Sequence, residues 1–187
     1  MVEITYQMVL STLQTAGLLV GIFYYIMTLR NQRKNQDLQL ETRQTQLFMQ
    51  LFQHHISKER FQDSMKLSQM EWDDFDDFAR KYDSAVNVEN FAMRYNQWYF
   101  WEGMGLLLNK GLIDGDMIYH LLGSGFGILT DWDQFGSIIK EMRVRLDQPN
   151  MNFWFEYLVE EMKKIREEKT GQPWKPLEST SFIREET

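Results

Sequence analysis

Apolar side chains dominate the chain from residue 4 to residue 29, and no charged side chain falls among them. A helix rising about 1.5 Å per residue over that length crosses a ~30 Å hydrocarbon core with some tilt. The pattern therefore predicts one membrane-spanning helix over 4–29, preceded by a short segment, 1–3. Residues 30–56 change character: they hold no Gly and no Pro and are rich in Gln, so the helix is expected to continue as a stalk. Apolar residues thicken towards its end (Leu47, Phe48, Leu51, Phe52, Ile56), and the second half reads as the first helix of a C-terminal helical domain. A strict heptad does not emerge, because Thr42 and Thr45 fall on the best seam, which argues against a coiled coil.

Beyond the stalk the apolar period is helical. Trp72, Phe75 and Phe78 recur every three residues, with a helix start expected near Trp72 or Asp73 and Arg80 and Lys81 at its end, where the macrodipole favours cations. Asn87 reads as an N-cap and Gly111 as a stop for a helix over 88–109. The stripe expected to face the core is Phe91, Tyr95, Trp98, Tyr99 and Leu106, with Glu102 among them. A connector at 111–114 leads to a further helix capped by Asp114 or Asp116. Gly123, Gly125 and Gly127 lie among apolar residues and suggest close helix packing or a helix–helix corner. Without a preceding strand or a following Lys-Ser/Thr they do not make a phosphate loop. Trp132, Phe135, Ile138, Ile139 and Met142 predict a helix to about Leu146. The turn at 148–150 and the run Phe153, Phe155, Leu158, Val159, Met162, Ile165 predict the last one. The fold class is all-α: a transmembrane helix continuing into a stalk, then a bundle of about five helices over 57–171. A mobile tail is expected over 172–187, with Trp174 placed to dock.

Charge sets the topology. The C-terminal flank of the span carries Arg30, Arg33 and Lys34, and the N-terminal flank carries no cation. The positive-inside rule then puts the N-terminus outside and the helical domain in the cytoplasm of a single-pass protein of the cell membrane, with Tyr6, Tyr24 and Tyr25 near the interfaces. A cleaved signal peptide fits poorly, because the leading residues lack Lys and Arg and Tyr24, Tyr25, Ile26 and Met27 are bulky where cleavage favours small residues. Of 27 acidic and 20 basic residues in the chain of 187, only Glu3 precedes residue 30, so the remainder is mildly acidic. That balance disfavours nucleic acid as a partner. Cysteine is absent, which excludes disulfides, thiolate metal sites and cysteine nucleophiles.

Candidate functional residues emerge from these placements. Gly17 and Gly21 form a GxxxG spacing, and Gln7, Gln14 and Thr28 extend the same helical face, a pattern suited to close helix–helix contact in a membrane. The partner is then a second copy or another membrane protein, besides the lipid itself. Asp73, Asp76 and Asp77 are a weak candidate for a divalent-ion site, weighed against a charged surface. His54 and His55 point about 100° apart on a helix and do not share an ion. Glu102, on an apolar stripe, needs a partner or a raised pKa, with Arg94, Arg143 and Arg145 as candidates, and reads as a buried structural carboxylate. No cofactor, metal or catalytic set is expected, and the chain does not read as an enzyme. The leading expectation is a membrane-tethered interaction module or accessory subunit. The alternative is a membrane-anchored sensor of a small ligand or divalent ion.

The order of motifs resembles a domain-of-unknown-function family of small bacterial and archaeal membrane-anchored helical proteins. The resemblance rests on the span, basic flank and Gln/Arg-rich stalk, then Trp72 to Phe78, Tyr99 to Leu107 with its two glycines, the connector at 111–114, and Trp132 to Arg143. It extends to about residue 165. It implies an architecture and brings no catalytic residue.

Overall fold

A computed structural model describes residues 6–176, except for the side chain of His54. Seven α-helices and no strand occur among the described residues: α1 (Tyr6–His55), α2 (Lys58–Ser68), α3 (Phe75–Tyr82), α4 (Val88–Asn109), α5 (Gly115–Leu121), α6 (Phe126–Arg145) and α7 (Phe153–Thr170). The chain divides into two units, residues 1–47 and residues 48–187.

The first unit is helical throughout its described residues, and its apolar part is uncovered. α1 is long and apolar enough to cross a membrane, and none of its most apolar stretch is buried. The hydroxyls along it bond to the helix's own carbonyls, Thr12 to Met8, Thr15 to Ser11 and Thr28 to Tyr24, at 2.8–2.9 Å. Polar groups satisfied within the helix suit a solvent that offers no hydrogen bonds. The segment 1–3 lies outside the described residues.

The second unit begins at Phe48, inside the segment expected to be stalk, because Phe48 is fully buried in its core and Leu51 and Phe52 pack beside it. α7 packs on α4, α5 and α6, and α4 also meets α2 and α3. α2 is an additional helix that the apolar pattern did not separate from the stalk. Ser57 starts it, its side chain accepting from Arg60 N at 3.2 Å. Local capping accounts for several other ends: Asp74 caps α3 and Asn87 caps α4. α3 thus begins at Phe75, and Trp72 precedes it while still stacking on Phe135 at 5.4 Å.

α4 and α7 approach so closely that a Cβ on Gly105 would lie 1.9 Å from the carbonyl oxygen of Trp154. The glycine-rich stretch is a corner between α5 and α6: Gly123, Ser124 and Gly125 are all left-handed, with φ of 62°, 58° and 71°. The buried face of α4 differs from the expected one. Tyr99 and Leu106 are exposed, and the face turned inward carries Asn90, Arg94, Gln97, Trp98, Trp101, Met104 and Gly105. Apolar periodicity missed this because three of its members are polar and find partners only across helices. The expected tail is partly docked: Trp174 donates to Asp133 at 2.8 Å, and Arg166 lies 5.1 Å from its ring centre. Residues 177–187 lie outside the described residues.

Candidate functional site

In the second unit, the polar members of α4 form a line spaced i, i+4, i+7. Asn90 donates to the Met70 sulfur, and the Arg94 Nε donates to Asn90 Oδ1 at 3.1 Å. Arg94 is almost wholly buried and has no carboxylate partner among the described residues; it donates to the Tyr82 carbonyl at 2.6 Å and lies 4.5 Å from the ring centre of Phe78. Burial lowers its pKa to about 10, so it stays charged, held by carbonyl and ring faces. Gln97 comes next, and it donates through Nε2 to Asp131 Oδ2 at 2.8 Å.

Asp131 is the centre of the site. Trp101 Nε1, one turn beyond Gln97, donates to the same oxygen at 2.6 Å. Burial pushes the Asp131 carboxyl up to about 6 against the opposing effect of these two bonds. The residue lies at the edge of a cavity of about 550 Å³ whose walls are mostly apolar, with Phe52, Phe61, Met65, Leu122 and Phe126 among them. This volume falls in the range of small-molecule sites. His55, also on the wall, stacks on Phe100 at 4.1 Å between ring centres and tilts against Trp101 at 4.8 Å. The arrangement can hold an apolar body beside one anionic acceptor.

The sequence pattern did not single out Asp131, although the signal was present. It falls on the line Ile128, Asp131, Phe135, Ile138 at helical spacing, and the other three are buried. A carboxylate on such a line is the same clue that drew attention to Glu102.

Glu102 is half-buried on α4 and opens onto a second cavity of about 470 Å³ beside the turn at 148–152. Its Oε2 accepts from the backbone N of Phe155 at 2.7 Å. Burial raises its pKa, opposed by backbone bonds from Phe155 and Trp154 and by Arg143. The three arginines considered as its partners bond elsewhere. Arg94 serves Asn90 and Tyr82, while Arg145 bridges Glu141 and Asp76. Arg143 donates to the carbonyls of Met151 and Asn152 and to Glu156. For Glu156, burial alone would raise the carboxyl, but the bonds from Arg143 and Lys140 hold it below its ordinary value.

The acidic run of α3 has separate duties. Asp74 caps the helix, Asp76 pairs with Arg145 at 2.6 Å, and Asp77 is buried against Lys81 and Arg80. The Lys81 bond, acting against burial and reinforced by Arg80, lowers the Asp77 carboxyl to about 2. Asp73 offers its backbone N to Asp77. Among the described residues no three His, Asp or Glu side chains gather where a metal ion would be held. In the first unit, Gln7, Gln14, Gly17 and Gly21 are exposed and Thr28 is partly so; Arg30, Arg33 and Lys34 are exposed. A Cβ on Gly17 or Gly21 would meet no atom within 4 Å, so that face is open.

The family model of a domain of unknown function (DUF4760) matches residues 11–162, and the chain belongs to that family. No curated protein and no solved structure matches it.

Proposed function

We propose that this member of the DUF4760 family is a membrane-tethered, non-enzymatic interaction module, anchored by α1 and presenting its helical unit in the cytoplasm. One observation carries this reading: none of the most apolar stretch of α1 is buried among the described residues. Uncovered apolar surface of that extent is far more stable in lipid than in water. The cations Arg30, Arg33 and Lys34 support the inside position of the C-terminal flank. The open face of Gly17 and Gly21, with Gln14 beside it, supports association with a second copy or with another membrane protein through the span.

The chain's lack of cysteine makes topology straightforward to test, since any introduced thiol is the only one. In intact cells a membrane-impermeant maleimide is expected to label Val2→Cys and to label Lys58→Cys only after the cells are opened. Labelling of Lys58→Cys in intact cells would reverse the orientation, and recovery of the chain outside the membrane fraction would remove the anchor. Gly17→Leu with Gly21→Leu is expected to weaken self-association in vesicles; unchanged association removes the self-assembly version.

A second reading, that the helical unit senses a small ligand, is favoured by the Asp131 cavity. A thermal shift of the tryptophan signal on ligand addition tests it, because a ligand that prefers the folded state raises the midpoint.

A further inference from the structure

Asp131 presents an unbalanced charge. Both donors that reach it, Gln97 Nε2 and Trp101 Nε1, are neutral, and both bond the same oxygen, Oδ2. Oδ1 accepts no hydrogen bond from any described residue. Among the described residues the cavity wall contains no Lys and no Arg, and its other titratable group is His55. Oδ1 opens onto the cavity, and a carboxylate set among mostly apolar side chains is ordinarily paired with a cation, because desolvation of its charge is costly. The wall carries a second unfilled requirement. Ile56, Phe61, Met65 and Leu121 keep large exposed fractions, 56%, 67%, 45% and 42%, so apolar surface at the cavity is in contact with water.

Resting on the second reading above, we propose that this cavity binds a small lipophilic ammonium ion, with its apolar body against Phe61, Met65 and Phe126 and its N–H donated to Asp131 Oδ1. One ligand of this class meets both requirements. An ammonium supplies the missing counter-charge and a charge-assisted hydrogen bond, which is about twice as strong as a neutral one. Its hydrocarbon part removes the exposed apolar wall from water. A lipophilic anion is repelled by Asp131, and a neutral alcohol reaches Oδ1 without balancing the charge. Burial pushes the carboxyl up only to about 6, so it is still ionised at neutral pH.

The test uses the full chain in phosphatidylcholine nanodiscs at pH 7.5, titrated calorimetrically with 4-phenylbutylamine and with 4-phenylbutan-1-ol against empty discs. Saturable binding of the amine is expected, with the alcohol at least tenfold weaker. Asp131→Asn is expected to weaken the amine at least tenfold and to weaken the alcohol far less, since the amide oxygen still accepts its hydroxyl. Gly127→Leu, whose Cβ meets no atom within 4 Å, fills the cavity from its wall and is expected to abolish binding of both while the melting midpoint stays within a few degrees. Equal affinity for amine and alcohol, or an amine affinity indifferent to Asp131→Asn, overturns the ammonium assignment while the cavity remains a ligand site. Failure of both probes to bind wild type above the empty-disc background overturns the proposal together with the reading on which it rests.

Discussion

The carboxylate of Glu102, on α4, caps the first turn of α7 by accepting from Phe155 N at 2.7 Å, across 53 residues of chain. α7 needs this because its own N-cap residue, Asn152, is left-handed at φ 52° and makes no side-chain cap bond. An anion at a helix N-terminus satisfies otherwise unpaired N–H groups and meets the positive end of the macrodipole. Arg143 holds the carbonyls of Met151 and Asn152 from the other side, so the turn before α7 is fixed by side chains from both α4 and α6.

Glu102→Ala removes the acceptor and is expected to cost about 1–2 kcal/mol. Glu102→Gln keeps an oxygen in place and is expected to recover most of that loss. All six tryptophans lie beyond residue 47, so near-ultraviolet circular dichroism melts of the full chain report chiefly on the second unit. Equal losses in the Ala and Gln variants would show that the charge, and not the acceptor, matters.

Gly105→Ala is expected to be far more damaging than its size suggests. Its Cβ would fall 1.9 Å from the Trp154 oxygen and 2.6 Å from the Trp154 carbonyl carbon, atoms that cannot turn aside as a side chain can. Separating α4 from α7 there costs about 3 kcal/mol or more. Gly103→Ala, two residues away with no atom within 4 Å of the added carbon, is the control and is expected to be neutral or slightly stabilising in the same melts.

Asp131→Asn is expected to change how stability depends on pH. The folded state raises the carboxyl from 3.8 to about 6, so folding takes up a proton between those values. Above about pH 6 the charged form opposes folding in full, and below about pH 4 the opposition is gone. The substitution is therefore expected to raise stability by on the order of 2–3 kcal/mol at pH 7.5, with the gain shrinking towards zero near pH 4. Melting both proteins across this range checks it. A gain that does not vary with pH would place its origin elsewhere than Asp131 ionisation.

Ser124→Gly relieves a side chain held at φ 58° in the corner between Gly123 and Gly125. Relief of the left-handed strain outweighs the added freedom of the unfolded chain by about 0.5–1 kcal/mol. A raised melting midpoint is the expected result, and Ser124→Ala, which keeps the strain, serves as the comparison.

Much of the fold was legible because its signals are local. The cap at Asn87, the left-handed stop at Gly111 and the corner at 123–125 depend on residues within a turn of one another. The start of α2 was legible in principle from Ser57, but a continuous run of helix formers with no Gly or Pro hid the break after His55. The inward face of α4 escaped the apolar pattern for a different reason. Arg94 and Gln97 look like surface residues until the Tyr82 carbonyl and Asp131 are brought against them by other parts of the chain.

Local residue pattern is enough to make this chain all-helical, to give it one N-terminal helix long and apolar enough to span a membrane, and to place most helix ends. Hydrophobic period, charge and caps act over a few residues and do not depend on what packs alongside. Packing in three dimensions alone sets Asp131 on a mostly apolar cavity with both of its hydrogen bonds on one oxygen, and puts Glu102 at a helix end in place of an arginine. Both outcomes depend on which helices lie against α4. The energy of a buried polar group is set by its partners in space, and those lie dozens of residues away along the chain.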